Sequence, residues 1–291
     1  MITEPAQHPF YNENIVSLIV KKLETNKNSL RDQFQKSQSS VGTRYVSIEN
    51  LLPDELAAEI FNQFPKEPSS WREMSSFREK KLTSKAFDKM PRLLGEITFA
   101  IQSEPVIKLI EEITQLPELK ADPTLYAGGL SLMRFDDFLN PHIDNSHDGA
   151  RKLYRRINLL YYVTPNWNLE DGGHLELWDT NVKKGITIES RFNRFVLMET
   201  NSSSWHSVSP VTRPDSQRCC VSNYYFSPRS PLKYDYFHVT SFQGRPGQHF
   251  RRLWCGLDNF ARSGIRKIVK SGIGRKDTFN SGSNSGSKNS T

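Results

Sequence analysis

INLLYYV, Ile157 to Val163, is the stretch that decides the fold. It is a short apolar run closed off by turn residues, and it is one of eight such runs that follow one another once the chain has passed Pro123. The others are Leu130–Phe135, His142–Asp144, His174–Trp178, Ile186–Ile188, Arg194–Glu199, His206–Val211 and Arg218–Phe226. Short alternating or apolar segments bounded by turns predict strands. About eight of them in about one hundred residues predict an all-β sandwich or jelly roll.

Upstream of Pro123 the periodicity is helical. Ile15, Leu18, Ile19 and Leu23 fall at i, i+3, i+4 and i+8 and predict an amphipathic helix from Asn12 into the thirties. Tyr45–Ile48 alternates like a short strand. Pro53-Asp54-Glu55 opens a second helix, with proline early in the first turn. A third helical region covers Pro91–Leu116, apolar at Leu94, Ile97, Ile101, Val106, Ile110 and Ile113. Helices followed by a jelly roll predict an α+β chain with the helices packed on one sheet.

The composition narrows the function classes. The chain has 291 residues, 36% hydrophobic and 24% charged, an ordinary composition for one large domain or two small ones. A chain of this length buries a core without needing a metal or disulfide to fold. No basic stretch followed by an apolar one opens the sequence, so no secretory signal is expected. The run Ile15–Val20 is far shorter than the ~20 residues a membrane span needs. Three cysteines, Cys219, Cys220 and Cys255, make no disulfide framework and point to a reducing, cytoplasmic setting.

The net charge of +7 is uneven. Gly244 to Lys276 holds nine basic residues and one acid, Asp258, so this segment carries +8 and the rest of the chain sums to −1. A protein built to grip a phosphate backbone carries positive charge on its folded body as well, so no nucleic-acid partner is expected. Phe250, Leu253, Trp254, Leu257 and Phe260 put an apolar stripe on this basic segment and predict a C-terminal basic helix. Such a helix suits weak peripheral membrane contact. The closing NSGSNSGSKNST is polar and of low complexity, and predicts disorder.

The chemistry concentrates at Pro141-His142-Ile143-Asp144-Asn145. On a strand, residues i and i+2 share a face, so His142 and Asp144 present an imidazole nitrogen and a carboxylate side by side. His206, 64 residues later, opens another apolar run, expected as a strand across the same sheet. Two histidines and one carboxylate on one face leave other metal positions open, the facial arrangement suited to non-haem Fe(II) and dioxygen. His147 sits in a polar turn and His174 follows two glycines, where a histidine packs or caps. His8, His238 and His249 have no partner at ligand spacing. Arg218 comes twelve residues after His206 at the start of an apolar strand. A guanidinium there is costly without a carboxylate, which a dicarboxylate cosubstrate supplies through a bidentate pair. Arg213 competes for that role, but it lies in a loop beside Asp215, where surface ion pairs are common.

In order, His142-x-Asp144, Ile157–Tyr162, Gly172-Gly173-His174-Leu175-Glu176-Leu177-Trp178, Arg194–Leu197, His206-x-Val208-x-x-Val211 and Arg218 resemble the 2-oxoglutarate and Fe(II)-dependent dioxygenases of the prolyl 4-hydroxylase-like group. The resemblance covers Tyr45 to Phe226 and is strongest from Leu130. It implies a double-stranded β-helix (jelly roll) core buttressed by N-terminal helices. The implied organisation is an N-terminal helical segment at 1–44, a dioxygenase domain at 45–243 with its core at 125–227, a basic amphipathic helical extension at 244–276 and a disordered tail at 277–291.

The resemblance further implies that His142, Asp144 and His206 hold Fe(II), that Arg218 meets the far carboxylate of 2-oxoglutarate, and that the Tyr162 hydroxyl contacts the same carboxylate. Asn145 is placed near the carboxylate ligand or the substrate, and Leu175 and Leu177 wall the cosubstrate pocket. Cys219-Cys220-Val221-Ser222 stands where some relatives read Arg-x-Ser after the arginine. The implied reaction consumes O2 and 2-oxoglutarate, releases succinate and CO2 and hydroxylates an unactivated C–H, with ascorbate admitted as a reductant. Halogenating relatives lack the carboxylate that Asp144 provides, so hydroxylation is favoured. The substrate is expected to be a peptide, prolyl-hydroxylase-like, with a small molecule or glycan as the alternative and a non-catalytic jelly-roll binding protein as the non-enzymatic one. Substrate-contacting loops are expected at Trp71–Lys85, which is rich in Arg and Lys, and at Leu232–His249.

Overall fold

A computed structural model describes residues 8–37, 41–232 and 234–248. The expected basic helix and tail therefore lie, from residue 249 onward, outside the described residues, and so do the membrane contact expected of that helix and Cys255. No helix among the described residues is long and apolar enough to cross a membrane.

Helix α1 (Glu13–Lys36) begins where Asn12 leaves helical geometry and its side chain accepts the Ile15 N–H. That bond satisfies one of the donors a helix N-terminus leaves open. α1 buries Ile15, Val16, Ile19, Leu23, Leu30 and Phe34. Strand β1 (Tyr45–Ile48) and helix α2 (Asp54–Asn62) follow as expected. The single helical region expected over Pro91–Leu116 is two helices, α3 (Arg92–Ile101) and α4 (Glu104–Thr114). Pro105 lacks the N–H that would continue the first helix, so the chain turns out at Ser103 and restarts with proline in the first turn.

The strands after β1 are β2 (Arg72–Ser75), β3 (Glu79–Ser84), β4 (Gly129–Met133), β5 (Phe138–Ile143), β6 (Tyr154–Tyr162), β7 (Leu175–Trp178), β8 (Gly185–Ile188), β9 (Arg194–Glu199), β10 (His206–Val208), β11 (Arg218–Ser227) and β12 (Ser241–Phe242). They form a continuous antiparallel sheet in the order β1-β9-β6-β11-β4-β3-β5-β10-β7-β8. Strand β2 pairs with β3, and β12 with β5. The sheet curls so that β4, β6 and β11 face β5, β7 and β10 across one cavity, the jelly-roll arrangement expected. All eight strands read from the sequence after Pro123 are present. The segment Trp71–Lys85, expected as a loop, is instead the β2–β3 hairpin. Strand β3 joins the two halves of the sheet by pairing with both β4 and β5.

The period-2 alternation divides the sheet's chemistry. On β6, Ile157, Leu159 and Tyr161 join the core under α1, α3 and α4, together with Phe195 and Leu197 of β9 and Val221 and Tyr225 of β11. The residues between them, Asn158, Leu160 and Tyr162 on β6 and Arg218, Cys220, Ser222 and Tyr224 on β11, line the cavity. Each fully buried large apolar side chain contributes roughly 1.5–3 kcal/mol, so the helices clamp the sheet firmly from one side. Gln102, just past α3, donates to Asn223 of β11 over 2.8 Å, and the Tyr225 hydroxyl donates to the Ile101 carbonyl. The rigid back of the sheet thereby fixes the strands that carry the cavity.

Candidate functional site

His142 is the last but one residue of β5 and His206 begins β10, and the two are direct partners in the antiparallel ladder. Side chains of a directly opposed pair lie on the same face, and here the ring centroids are 4.1 Å apart. Asp144 follows β5 and points to the same place. Its two oxygens lie 3.7 Å from His142 Nε2 and 3.7 Å from His206 Nε2. A separation of 3.7 Å is less than twice a metal–ligand bond of ~2.1 Å, so one ion can touch both atoms of each pair. Among the described residues these three form the one group of His, Cys, Asp and Glu side chains able to share a metal ion, with ligand atoms within 4.8 Å of one another.

The remaining ring atoms fix the tautomers. His142 Nδ1 donates to the Asn140 carbonyl at 3.0 Å and His206 Nδ1 to the Ser204 carbonyl at 2.9 Å. A carbonyl only accepts, so the proton sits on Nδ1 and both Nε2 lone pairs face the site. Burial, joined by the neighbouring His206, pulls the His142 imidazole down to about 3, and burial also lowers His206. Both rings are therefore neutral and available as ligands. Burial alone would raise the Asp144 carboxyl, but the Arg155 guanidinium and the two imidazoles outweigh it and hold the group well below the usual carboxylate range. Asp144 Oδ2 is buried and has no hydrogen-bond partner. Two neutral imidazoles with free Nε2 atoms, an ionised carboxylate with an unsatisfied oxygen and no thiolate make a donor set that fits Fe(II).

Arg155 went unnoticed in the sequence. Its Nη1 lies 3.2 Å from Asp144 Oδ1, and its guanidinium stacks 4.1 Å over the Tyr224 ring. It reaches the site through a bulge. On β6, Ile157 pairs with Tyr225 and Arg155 with Phe226, so Arg156 is an extra residue that shifts the register. The shift turns Arg155 toward the cavity, while Arg156 approaches Glu199 at 3.6 Å. Tyr224, also unnoticed, lines the cavity, and its phenol is pushed up by burial and by the Asp144 charge.

Arg218 stands on the cavity wall at 4% exposure. Its Nε and Nη1 have no hydrogen-bond partner, Nη2 meets the Met133 sulfur at 3.0 Å, and the Cys220 thiol is also beside it, both weak acceptors. A buried cation with unsatisfied donors is costly, and a carboxylate entering the cavity would satisfy it. This is the observation that fits 2-oxoglutarate to the site. Tyr162 lies on the same wall with its ring 5.3 Å from the Arg218 guanidinium carbon. Gly173 makes room: a Cβ there would sit 3.3 Å from Arg218 Cδ. Arg213 is elsewhere, donating to the Asn166 carbonyl and pairing with Asp171 at 3.4 Å.

The other expectations sort cleanly. Asn145 and Leu175 line the cavity, and Leu177 packs in the core beside it. His174 has both ring nitrogens engaged, Nε2 donating to the Leu169 carbonyl and Nδ1 accepting the Ser190 N–H. His147 Nδ1 is hydrogen-bonded with the Ser146 hydroxyl, and its ring lies against Tyr154. Cys219 and Cys220 are buried free thiols. The cavity measures about 810 Å³, and the β2–β3 hairpin forms one of its walls.

A family model described as "2OG-Fe(II) oxygenase superfamily" matches residues 129–226. The prolyl 3-hydroxylase OGFOD1 of Mus musculus is 30% identical over 88 residues, 28% of this chain, and the match spans only 16% of that relative's length. Among solved structures, a prolyl hydroxylase from Trichoplax adhaerens, in complex with a hypoxia inducible factor oxygen degradation domain peptide fragment, superposes with a TM-score of 0.52. It is 19% identical, over 71% of this chain and 93% of that one. A prolyl 4-hydroxylase from Phytophthora capsici gives a TM-score of 0.50 at 16% identity, over 93% of this chain and 81% of that one. These two likenesses concern the fold.

Proposed function

We propose that this chain, whose residues 129–226 belong to the 2OG-Fe(II) oxygenase superfamily, is an Fe(II)- and 2-oxoglutarate-dependent dioxygenase that hydroxylates an unactivated C–H bond in a prolyl-hydroxylase-like manner. The observation that carries this reading is the pairing of two centres in one cavity: the His142, Asp144 and His206 cluster, and the unsatisfied guanidinium of Arg218. When bound, iron and 2-oxoglutarate would supply the oxidising chemistry with O2 as the oxidant, one oxygen atom ending in succinate as CO2 leaves and the other in the hydroxylated substrate.

The protein's part is binding and orientation. The Asn140 and Ser204 carbonyls hold the imidazoles so that both Nε2 atoms point at the metal position. Arg155 keeps Asp144 ionised and holds Oδ1, which also faces His142, leaving Oδ2 toward His206. Arg218 takes the far carboxylate of 2-oxoglutarate in a charge-assisted pair, with Tyr162 beside it. Leu175 and the buried face of β11 exclude water from this end. The peptide or small-molecule substrate enters from the side walled by the β2–β3 hairpin, whose Arg72, Glu79, Lys81 and Thr83 line the cavity. The free thiols of Cys219 and Cys220 accord with a cytoplasmic location.

Succinate release tests this function. The purified chain with Fe(II), 2-oxoglutarate, ascorbate and O2 should form succinate, and a proline-containing peptide should be among the compounds that accelerate it. No succinate above a metal-free control, from folded protein, would refute the reading.

A further inference from the structure

The cavity holds more positive charge than iron and cosubstrate binding accounts for. Its described lining contains seven cations, Arg72, Arg78, Lys81, Lys85, Lys89, Arg155 and Arg218, and two carboxylates, Glu79 and Asp144. Both carboxylates already face cations, Glu79 meeting Lys81 at 3.0 Å and Asp144 meeting Arg155 at 3.2 Å. Fe(II) and the 2-oxoglutarate dianion cancel each other in charge, so the cavity keeps its surplus when both are bound. Lys85 and Lys89, on the stretch that leaves β3, have no ion pair among the described residues. Outside residues 244–276 the chain sums to −1. The excess is therefore local to the cavity rather than spread over the body, which suits a compact anion better than a long polyanion.

A second observation lies deeper. Arg155 is 2% exposed, and its Nε and Nη2 have no hydrogen-bond partner although the residue lines the cavity beside Asp144. Buried donors in a cavity wall call for acceptor oxygens on whatever fills it. The inner and outer parts of the substrate space thus ask for the same chemistry.

We propose that the substrate is an acidic peptide, carrying carboxylate or phosphate side chains close to the carbon that is hydroxylated. The proposal rests on the function proposed above and names the substrate class of that same site. Lys85 and Lys89 select the anionic side chains at the mouth, and Arg155 receives an acceptor oxygen near the metal position. Field lines concentrated between low-dielectric walls make this selection stronger than the same lysines would give on an open surface.

The test is fluorescence anisotropy with the full chain loaded anaerobically with Fe(II) and 2-oxoglutarate. The probes are dye-labelled short peptides around one proline, matched except for flanking glutamates, phosphoserines, glutamines or lysines. The glutamate or phosphoserine set should bind about tenfold tighter than the glutamine set at low salt, with the gap narrowing as salt rises. The tighter of the two acidic sets identifies the anion. Lys85→Glu/Lys89→Glu should remove most of the preference without weakening the glutamine set, and Lys85→Gln/Lys89→Gln should remove part of it. Equal binding by all sets, no binding by any, an undiminished preference in the charge-reversed variant, or tighter binding of polygalacturonate or an oligonucleotide than of every peptide would each overturn the proposal. The iron–2-oxoglutarate absorption band of the same sample separates the two readings: with the band present, only the substrate class falls; with it absent, the function falls too.

Discussion

Two arginines within a few residues of each other, Arg213 and Arg218, have opposite surroundings. Arg213 lies at the surface with its donors on the Asn166 carbonyl and Asp171. Arg218 is buried with Nε and Nη1 unsatisfied. If Arg218 receives the far carboxylate of 2-oxoglutarate, Arg218→Ala should raise the cosubstrate KM by roughly 10- to 100-fold, the size expected for a lost charge-assisted pair. Fe(II) affinity should stay near wild type, because Arg218 is not among the metal-binding atoms. Arg218→Lys should recover only part of the loss, since an ammonium cannot reproduce the bidentate fork. Arg213→Ala should leave the KM unchanged. Steady-state succinate formation against 2-oxoglutarate concentration decides it, and a defect that follows Arg213 instead would move the carboxylate site off β11.

Elements place those residues, and the turn before β7 shows how tightly. Gly172 has φ 68 and ψ −157, a region open essentially to glycine alone. A Cβ there would sit 2.0 Å from the Pro210 carbonyl oxygen. Gly172→Ala should therefore destabilise the fold by about 3 kcal/mol or more, read as a lowered denaturation midpoint at unchanged slope. A substitution with no effect on the midpoint would mean the turn relaxes freely. The eight core strands were legible because each is a short apolar or alternating run bounded by turn residues: those of β4, β6, β9 and β11 pack under the helices, and Leu139, Leu175, Leu177, Ile188 and Val208 of the others pack in separate apolar clusters. The β2–β3 hairpin was not: of its strand residues only Leu82 is buried, and the alternate β3 positions that line the cavity are the polar Glu79, Lys81 and Thr83. A strand whose inner face lines a polar cavity carries no hydrophobic period to read. Arg155 was hidden for a related reason, since the bulge at Arg156 breaks the alternation that would have assigned its side. The meeting of His142, Asp144 and His206 was legible because the i, i+2 spacing of the first two is framed by the ordered apolar blocks around them and around His206, and β5 and β10 then pair at His142 and His206.

Over the whole molecule the sheet works as a partition. The helices cover the outer face of its β1-β9-β6-β11-β4 half with a dry core, and the inner face brings His142, Asp144, His206 and Arg218 into one cavity of about 810 Å³. This separation lets buried cations and neutral imidazoles persist without weakening the core that supports them. The central claim is that the cavity holds Fe(II) and 2-oxoglutarate together, and visible absorption under anaerobic conditions tests it most directly. Adding Fe(II) and then 2-oxoglutarate to the wild-type chain should produce the weak charge-transfer band of the iron–2-oxoglutarate chelate. His206→Ala, confirmed as folded by circular dichroism, should not produce it. A folded wild-type chain that shows no band, or a His206→Ala chain that shows an undiminished one, would contradict the account.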